Sequence, residues 1–156
     1  ATASCHAIAS ACSAIKGLTM AITAFNGNYR GDVCSVYPLL RAGEPVHARI
    51  GLRPSGGTPL APALWWVMQQ LLFVKERRKM LFVLTDGQPN DVPATQHALE
   101  IANKIGLEAY GLGILDGTIH NILPDASRVI HRLEELPATL FELLHGVLTD
   151  RSRPCS

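Results

Sequence analysis

The 156-residue chain has almost no net charge: 14 Lys and Arg against 13 Asp and Glu leave +1. That balance excludes a general attraction to nucleic acid or to acidic membranes. Long apolar runs are also missing. No uninterrupted stretch reaches the ~18 residues that a membrane span requires. Residues 1–17 have neither the charged start nor the apolar run of a secretory signal. Cysteine is sparse: Cys5, Cys12, Cys34 and Cys155 form no C-x-x-C pair and no metal-ligand spacing. Reduced thiols and a cytoplasmic setting are therefore expected, with Cys5 and Cys12 acting as small hydrophobes on one helix face. Signatures of catalysis are absent too. There is no G-x-x-x-x-G-K-[ST] phosphate loop, no G-x-G-x-x-G run and no G-x-S-x-G elbow. His6, His47, His97, His120, His131 and His145 are scattered without ligand spacing. His120 and Asp116 flank one loop and are the best acid–base candidates of a weak set.

What is present is an apolar globular composition, 47% hydrophobic and 17% charged, in a chain of single-domain length. One domain over 1–150 and a flexible tail over 151–156 are expected. Small apolar residues over 3–16, stopped at Gly17, predict a helix. Leu18–Phe25 reads as a strand buried on both faces, and Asp32–Leu40 as an edge strand. Thr58-Pro59 is a good helix start, with Thr58 as N-cap and Pro59 at the first helical position. Ala61, Ala63, Leu64, Val67, Met68, Leu71 and Leu72 follow at helical spacing. Of the adjacent Trp65 and Trp66, one is expected in the core. Lys75, Arg77, Arg78 and Lys79 read as a solvated turn. Met80–Leu84 is the clearest strand, followed by a helix over Ala94–Ile105 and a buried strand over Leu107–Leu115. Gly111 and Gly113 allow close backbone approach there. A short strand over Arg128–His131 and a helix over Pro137–Leu148 complete the order. In that helix Leu140, Phe141, Leu144 and Val147 share a side.

Strands alternating with helices predict an α/β fold: a doubly wound, mostly parallel sheet flanked by helices. Ligands in such sheets sit beyond the carboxyl ends of the strands. Asp86 follows the strongest strand directly, so it lies on that rim. Thr58 opens the crossover helix leading into the same strand, so it starts at the same rim. A hydroxyl and a carboxylate brought together are hard oxygen donors suited to Mg²⁺, though that ion wants six. Gly56-Gly57 lets backbone approach without side-chain bulk. The plain alternative is that Thr58 only caps a helix and Asp86 only starts a turn. Asp86 behind an apolar strand is also similar to an aspartyl-phosphate nucleophile. That chemistry generally wants a carboxylate two residues on, where Gln88 stands. Asp91 reads as a solvated loop residue.

Taken as a set, Gly56-Gly57-Thr58-Pro59, the helix Ala61–Leu72, the segment Met80-Leu-Phe-Val-Leu-Thr-Asp-Gly-Gln-Pro89 and the strand Leu107–Ile114 resemble the von Willebrand factor A domain. Residues 63–66 (Ala-Leu-Trp-Trp), 76–79 (Glu-Arg-Arg-Lys) and the stretch Phe25–Asp32 are similar to a bacterial subgroup at the C-terminus of the cobaltochelatase large accessory subunit. The resemblance covers roughly residues 3–148. It implies a metal-ion-dependent adhesion site in which Mg²⁺ bridges to a partner protein's carboxylate. Thr58 matches the family's threonine ligand and Asp86 its second aspartate. The subgroup works beside AAA+ ATPases in chelatase or protein-remodelling complexes.

The resemblance also implies a first strand ending in an Asp-x-Ser-x-Ser loop, ahead of residues 3–16. Ser4, Ser10 and Ser13 do not reproduce it. The expectation is therefore an N-terminally truncated fold with a partial site that binds Mg²⁺ weakly or not at all. Grafting the missing loop is expected to tighten binding. Without that strand, Leu18–Phe25 and Met80–Leu84 lose their shared neighbour, so the expectation is that the chain is a fragment, that another chain supplies the strand, or that the two strands close up. The leading reading is a non-enzymatic protein-binding module, an accessory to an AAA+ ATPase. The alternatives are an enzyme using Asp86 for phosphoryl transfer or hydrolysis, and an oligomerising domain pairing through exposed strand edges.

Overall fold

The computed structural model describes residues 9–10, 12–13, 15–28, 33–47 and 56–149. The expectations for residues 3–8, Cys5, His6, the start of the second strand at Asp32, the segment 48–55, Cys155 and the tail 151–156 lie outside them. The elements are β1 (Ile22–Gly27), β2 (Cys34–Leu40), α1 (Leu60–Leu72), β3 (Lys79–Thr85), α2 (Val92–Lys104), β4 (Leu107–Ile114), β5 (Ser127–Ile130) and α3 (Leu136–Thr149). Residues 9–10 and 12–13 are helical. Short 3-10 turns cover Gly117–Asn121 and Leu133–Glu135.

β3, β4 and β5 form a parallel three-stranded sheet in that order, with Lys79 opposite Leu107 and Gly111 opposite Ser127. Parallel strands need both faces covered, which is why β3 reads as a continuous apolar run. On one face, Leu60, Leu64 and Met68 of α1 and Ala98, Leu99 and Ala102 of α2 pack with Val83, Leu107, Ile119 and Ile122. On the other, Met80 and Phe82 pack against Cys12, Leu140 and Leu144. Each such Leu or Ile contributes about 1.5–3 kcal/mol by leaving water. Ile119 is fully buried and lies against Gly111, where a Cβ would come within 2.5 Å of it. The glycine is what lets the 3-10 turn sit down on β4.

β1 and β2 form a separate antiparallel pair, Ala24 opposite Tyr37 and Phe25 opposite Val36. Among the described residues this pair is not hydrogen-bonded to β3, so β1 and β3 have not closed up. The expected burial of the first strand on both faces is corrected accordingly: every residue of β1 is only half-buried.

Other corrections follow from helix geometry. In α1 the stripe Leu60, Leu64, Met68 faces the core. Each residue turns the helix by about 100°, so neither Trp65 nor Trp66 can share the stripe. Trp65 is 39% exposed, its ring 6.4 Å from His97, and Trp66 is half-buried. Leu72 is 66% exposed because burial stops before the helix does. In α3 the stripe is Leu136, Leu140, Leu144, and Phe141 is exposed, stacked on His145. The side chain of Val147 lies outside the description. Arg78 is not merely solvated. It donates from Nε to Glu108 Oε1 at 2.6 Å and from a terminal nitrogen to Oε2 at 2.9 Å.

Candidate functional site at the sheet rim

The rim is built from three chain segments: the end of β1, the loop entering α1 and the turn after β3. Gly27 closes β1, and its carbonyl accepts from the Gly57 N–H at 3.1 Å. Gly56 has φ +73 and lies directly on Gly27; a Cβ there would run into the Gly27 carbonyl. Only glycine tolerates both that left-handed backbone and that closeness. This contact brings the loop preceding α1 down onto the end of β1.

A second pair of bonds ties the same loop to the one after β3. The Thr58 N–H donates to Asn90 Oδ1 at 2.8 Å. The Asn90 N–H donates back to the Thr58 carbonyl at 3.0 Å. Asn90 thus clasps the Thr58 segment from 32 residues away. Gly57 leaves room for it: a Cβ at that position would fall 2.8 Å from both Oδ1 and Nδ2 of Asn90.

Thr58 is half-buried. It is not the N-cap of α1. Helical geometry begins at Leu60, the capping position is Pro59, and no side chain caps it. The Thr58 backbone is instead held by Asn90 and by Leu60, whose N–H donates to the Thr58 carbonyl at 2.8 Å. Asp86 is exposed in the turn after β3. That turn is braced by Thr85, 7% exposed, whose hydroxyl donates to the Gly87 carbonyl at 2.8 Å and accepts from the Gly87 N–H. Asp91 is corrected from a free loop residue to the N-cap of α2, accepting from the Ala94 N–H at 2.9 Å with proline in the first turn. The signal was present in the sequence, since Asp followed by Val-Pro is a helix start.

Both acid–base candidates are engaged in local hydrogen bonds. Asp116 caps the 3-10 turn by accepting from the Thr118 N–H. His120 Nδ1 lies 2.8 Å from the hydroxyl of Ser127, which donates to the Leu123 carbonyl. Because that hydroxyl proton is already committed, His120 must donate from Nδ1, and the pair pins β5 to the turn. Ser127 is 2% exposed and reaches no solvent.

Among the described residues no group of three or more His, Cys, Asp or Glu side chains is placed to hold a metal ion. Thr58 and Asp86 suit Mg²⁺ or Mn²⁺ in donor chemistry but fall short in number, since Mg²⁺ wants six oxygens. One surface depression, about 580 Å³, is lined by Glu108, Tyr110, Asn121 and Asp125 among others and includes neither residue. No helix among the described residues is long and apolar enough to cross a membrane. Burial pushes the Cys12 and Cys34 thiols above their ordinary value of 9.0.

No protein-family model and no curated protein sequence matches the chain. Solved structures do. Manganese-loaded Plasmodium vivax TRAP protein superposes with a TM-score of 0.68 at 16% identity, over 90% of this chain and 63% of that one. Proximal thread matrix protein 1 from the mussel byssus gives 0.69 at 16% identity, over 92% of this chain and 39% of that one. The chain therefore spans less than two thirds of the length of either structure. At that identity the likeness establishes the architecture alone: a von Willebrand factor A-like α/β fold.

Proposed function

We propose that the chain is a non-catalytic protein-binding module whose contact surface is the rim carrying Thr58 and Asp86. The reading rests chiefly on one observation, the reciprocal pair of hydrogen bonds between Asn90 and the Thr58 backbone. Two connections far apart in sequence are locked together there, which is the preorganisation a binding surface needs. The Thr58 hydroxyl and the Asp86 carboxylate then hold a divalent cation weakly, with water filling its remaining positions. A partner carboxylate completes the ion's shell. The manganese-loaded neighbour is in keeping with this reading. The finer assignment, an accessory to an AAA+ ATPase in a chelatase-like complex of the cytoplasm, draws on the sequence resemblance to the bacterial subgroup.

Calorimetric titration with MgCl₂ and MnCl₂ tests the site. The wild-type chain is expected to bind at about millimolar strength or weaker, and Asp86→Ala to abolish the signal while leaving the melting temperature unchanged. Binding that survives Asp86→Ala would remove the site. Asp86-dependent release of phosphate from a model ester would point to the hydrolase alternative.

A further inference from the structure

We infer that the outer edge of β4 at residues 107–110 takes one extended, basic segment of another polypeptide as an added strand. β5 is shorter than β4 and pairs only with residues 111–114. On that side Gly111, and Leu115 just past the strand's end, donate their N–H groups to the Ala126 and Ile130 carbonyls. Backbone groups alternate from side to side along a strand, so Leu107 and Ala109 present their N–H and C=O groups to the same lane. Among the described residues no strand pairs with them there. Glu108 and Tyr110 point the other way, into the ladder with β3. A row of open donors and acceptors on a sheet edge is a template for one more strand.

The space in front of this edge is open. The depression of about 580 Å³ is bordered by Leu99, Glu100 and Asn103 of α2, by residues 107–110 and by the loop 121–126. Leu107 and Ala109 pack into the cluster of α1 and α2, whereas Tyr110 stacks on Phe82 in the opposite layer. A hollow that touches both layers follows the edge of the strand instead of lying on one face. Its charge selects the occupant. Glu100, Glu108 and Asp125 line it, and no Lys, Arg or His does. Glu108 is held by Arg78 and Tyr110. Glu100 and Asp125 are exposed and enter no salt bridge among the described residues. A second copy offering the same edge would bring these like charges together, which disfavours self-pairing. A strand with Lys or Arg at alternate positions complements them on the α2 side. Its other side chains turn toward a smaller hollow of about 250 Å³ on the α3 side, where Tyr110 and Leu143 meet them and Arg128 stands with Glu142. Main-chain pairing supplies affinity and the alternating side chains supply selectivity, as in other strand additions. The edge lies at the amino end of β4, away from Thr58 and Asp86, and does not rest on the rim reading.

Amide exchange followed by NMR on the whole ¹⁵N-labelled chain tests it. The probe is the peptide acetyl-Lys-Val-Lys-Val-Lys-Val-amide. One control is the same peptide N-methylated at its third and fourth residues, which removes donors without changing charge. The other is acetyl-Glu-Val-Glu-Val-Glu-Val-amide. At about ten times its Kd the probe is expected to slow exchange of the Leu107 and Ala109 amides about tenfold. Glu108 and Tyr110, already in the β3 ladder, are expected to stay unchanged, and both controls to leave all four amides as they were. Glu100→Gln with Asp125→Asn is expected to weaken the probe about two- to tenfold. No slowing, equal slowing of all four amides, an equal effect of either control, or undiminished affinity in the double variant would overturn the inference. So would a peptide-free chain with Ala109 already protected, because a segment of its own or a second copy would then hold the lane.

Discussion

Asn90 is the residue whose removal should report most directly on the rim. Asn90→Ala deletes the acceptor of the Thr58 N–H, a bond of 2.8 Å, and keeps the backbone bond in the other direction. A net hydrogen bond contributes about 0.5–1.5 kcal/mol, and more when the orphaned group cannot reach water. Thr58 is half-buried and Asn90 exposed, so water partly compensates and the lower part of that range applies. A loss of about 1 kcal/mol lowers the melting temperature by about 2–4 °C at this size. Asn90→Asp keeps an oxygen at the same position and should retain most of the stability. The stronger test is a cycle with Gly57→Ala. Alone, the new methyl lies 2.8 Å from the Asn90 amide and should destabilise by about 1–3 kcal/mol. In the Asn90→Ala background its obstacle is gone, so the double variant should be less destabilised than the sum by about 0.5–3 kcal/mol. Urea denaturation followed by circular dichroism measures all four chains. Strict additivity, or equal losses for Asn90→Ala and Asn90→Asp, would refute the clasp.

Gly56→Ala should be the most damaging single methyl at the rim, because it adds left-handed strain of about 1–2 kcal/mol to a backbone collision with Gly27; thermal denaturation showing a loss below 1 kcal/mol would contradict the geometry. Ile119→Ala empties a fully buried position against Gly111 and should cost about 2–5 kcal/mol in urea titration. The Cys12 thiol is held above its ordinary 9.0 by burial. Its contribution to stability is therefore complete below that value and falls as pH rises past it. Its alkylation by iodoacetamide at pH 7 should wait on unfolding, and rapid labelling of the native chain would show the site to be open.

Much of the fold could be read directly from residue order. The apolar run Met80–Leu84 became β3, Gly17 ends the helical turn before Leu18 with φ +83, and the strand expected over Leu107–Leu115 ends at Ile114. The misreadings share one cause. Trp66, Leu72 and Phe141 are apolar and at plausible helical spacing, but which 100° sector of a helix meets a neighbour depends on the neighbour. Thr58 was read as a cap because Thr-Pro is a good local start. A partner 32 residues away holds its backbone instead, and Asn90 had no local signal beyond being a turn residue.

Local chemistry alone determined the alternation of strands and helices, and with it the expectation that the loop entering α1 and the turn after β3 open on one rim. Tertiary structure decided what locks that rim, through Gly27, Gly57 and Asn90, and that among the described residues β1 pairs with β2 and β3 with β4. Hydrogen bonds between distant segments and the spacing of packed layers are properties of the assembled chain, so no window of sequence contains them.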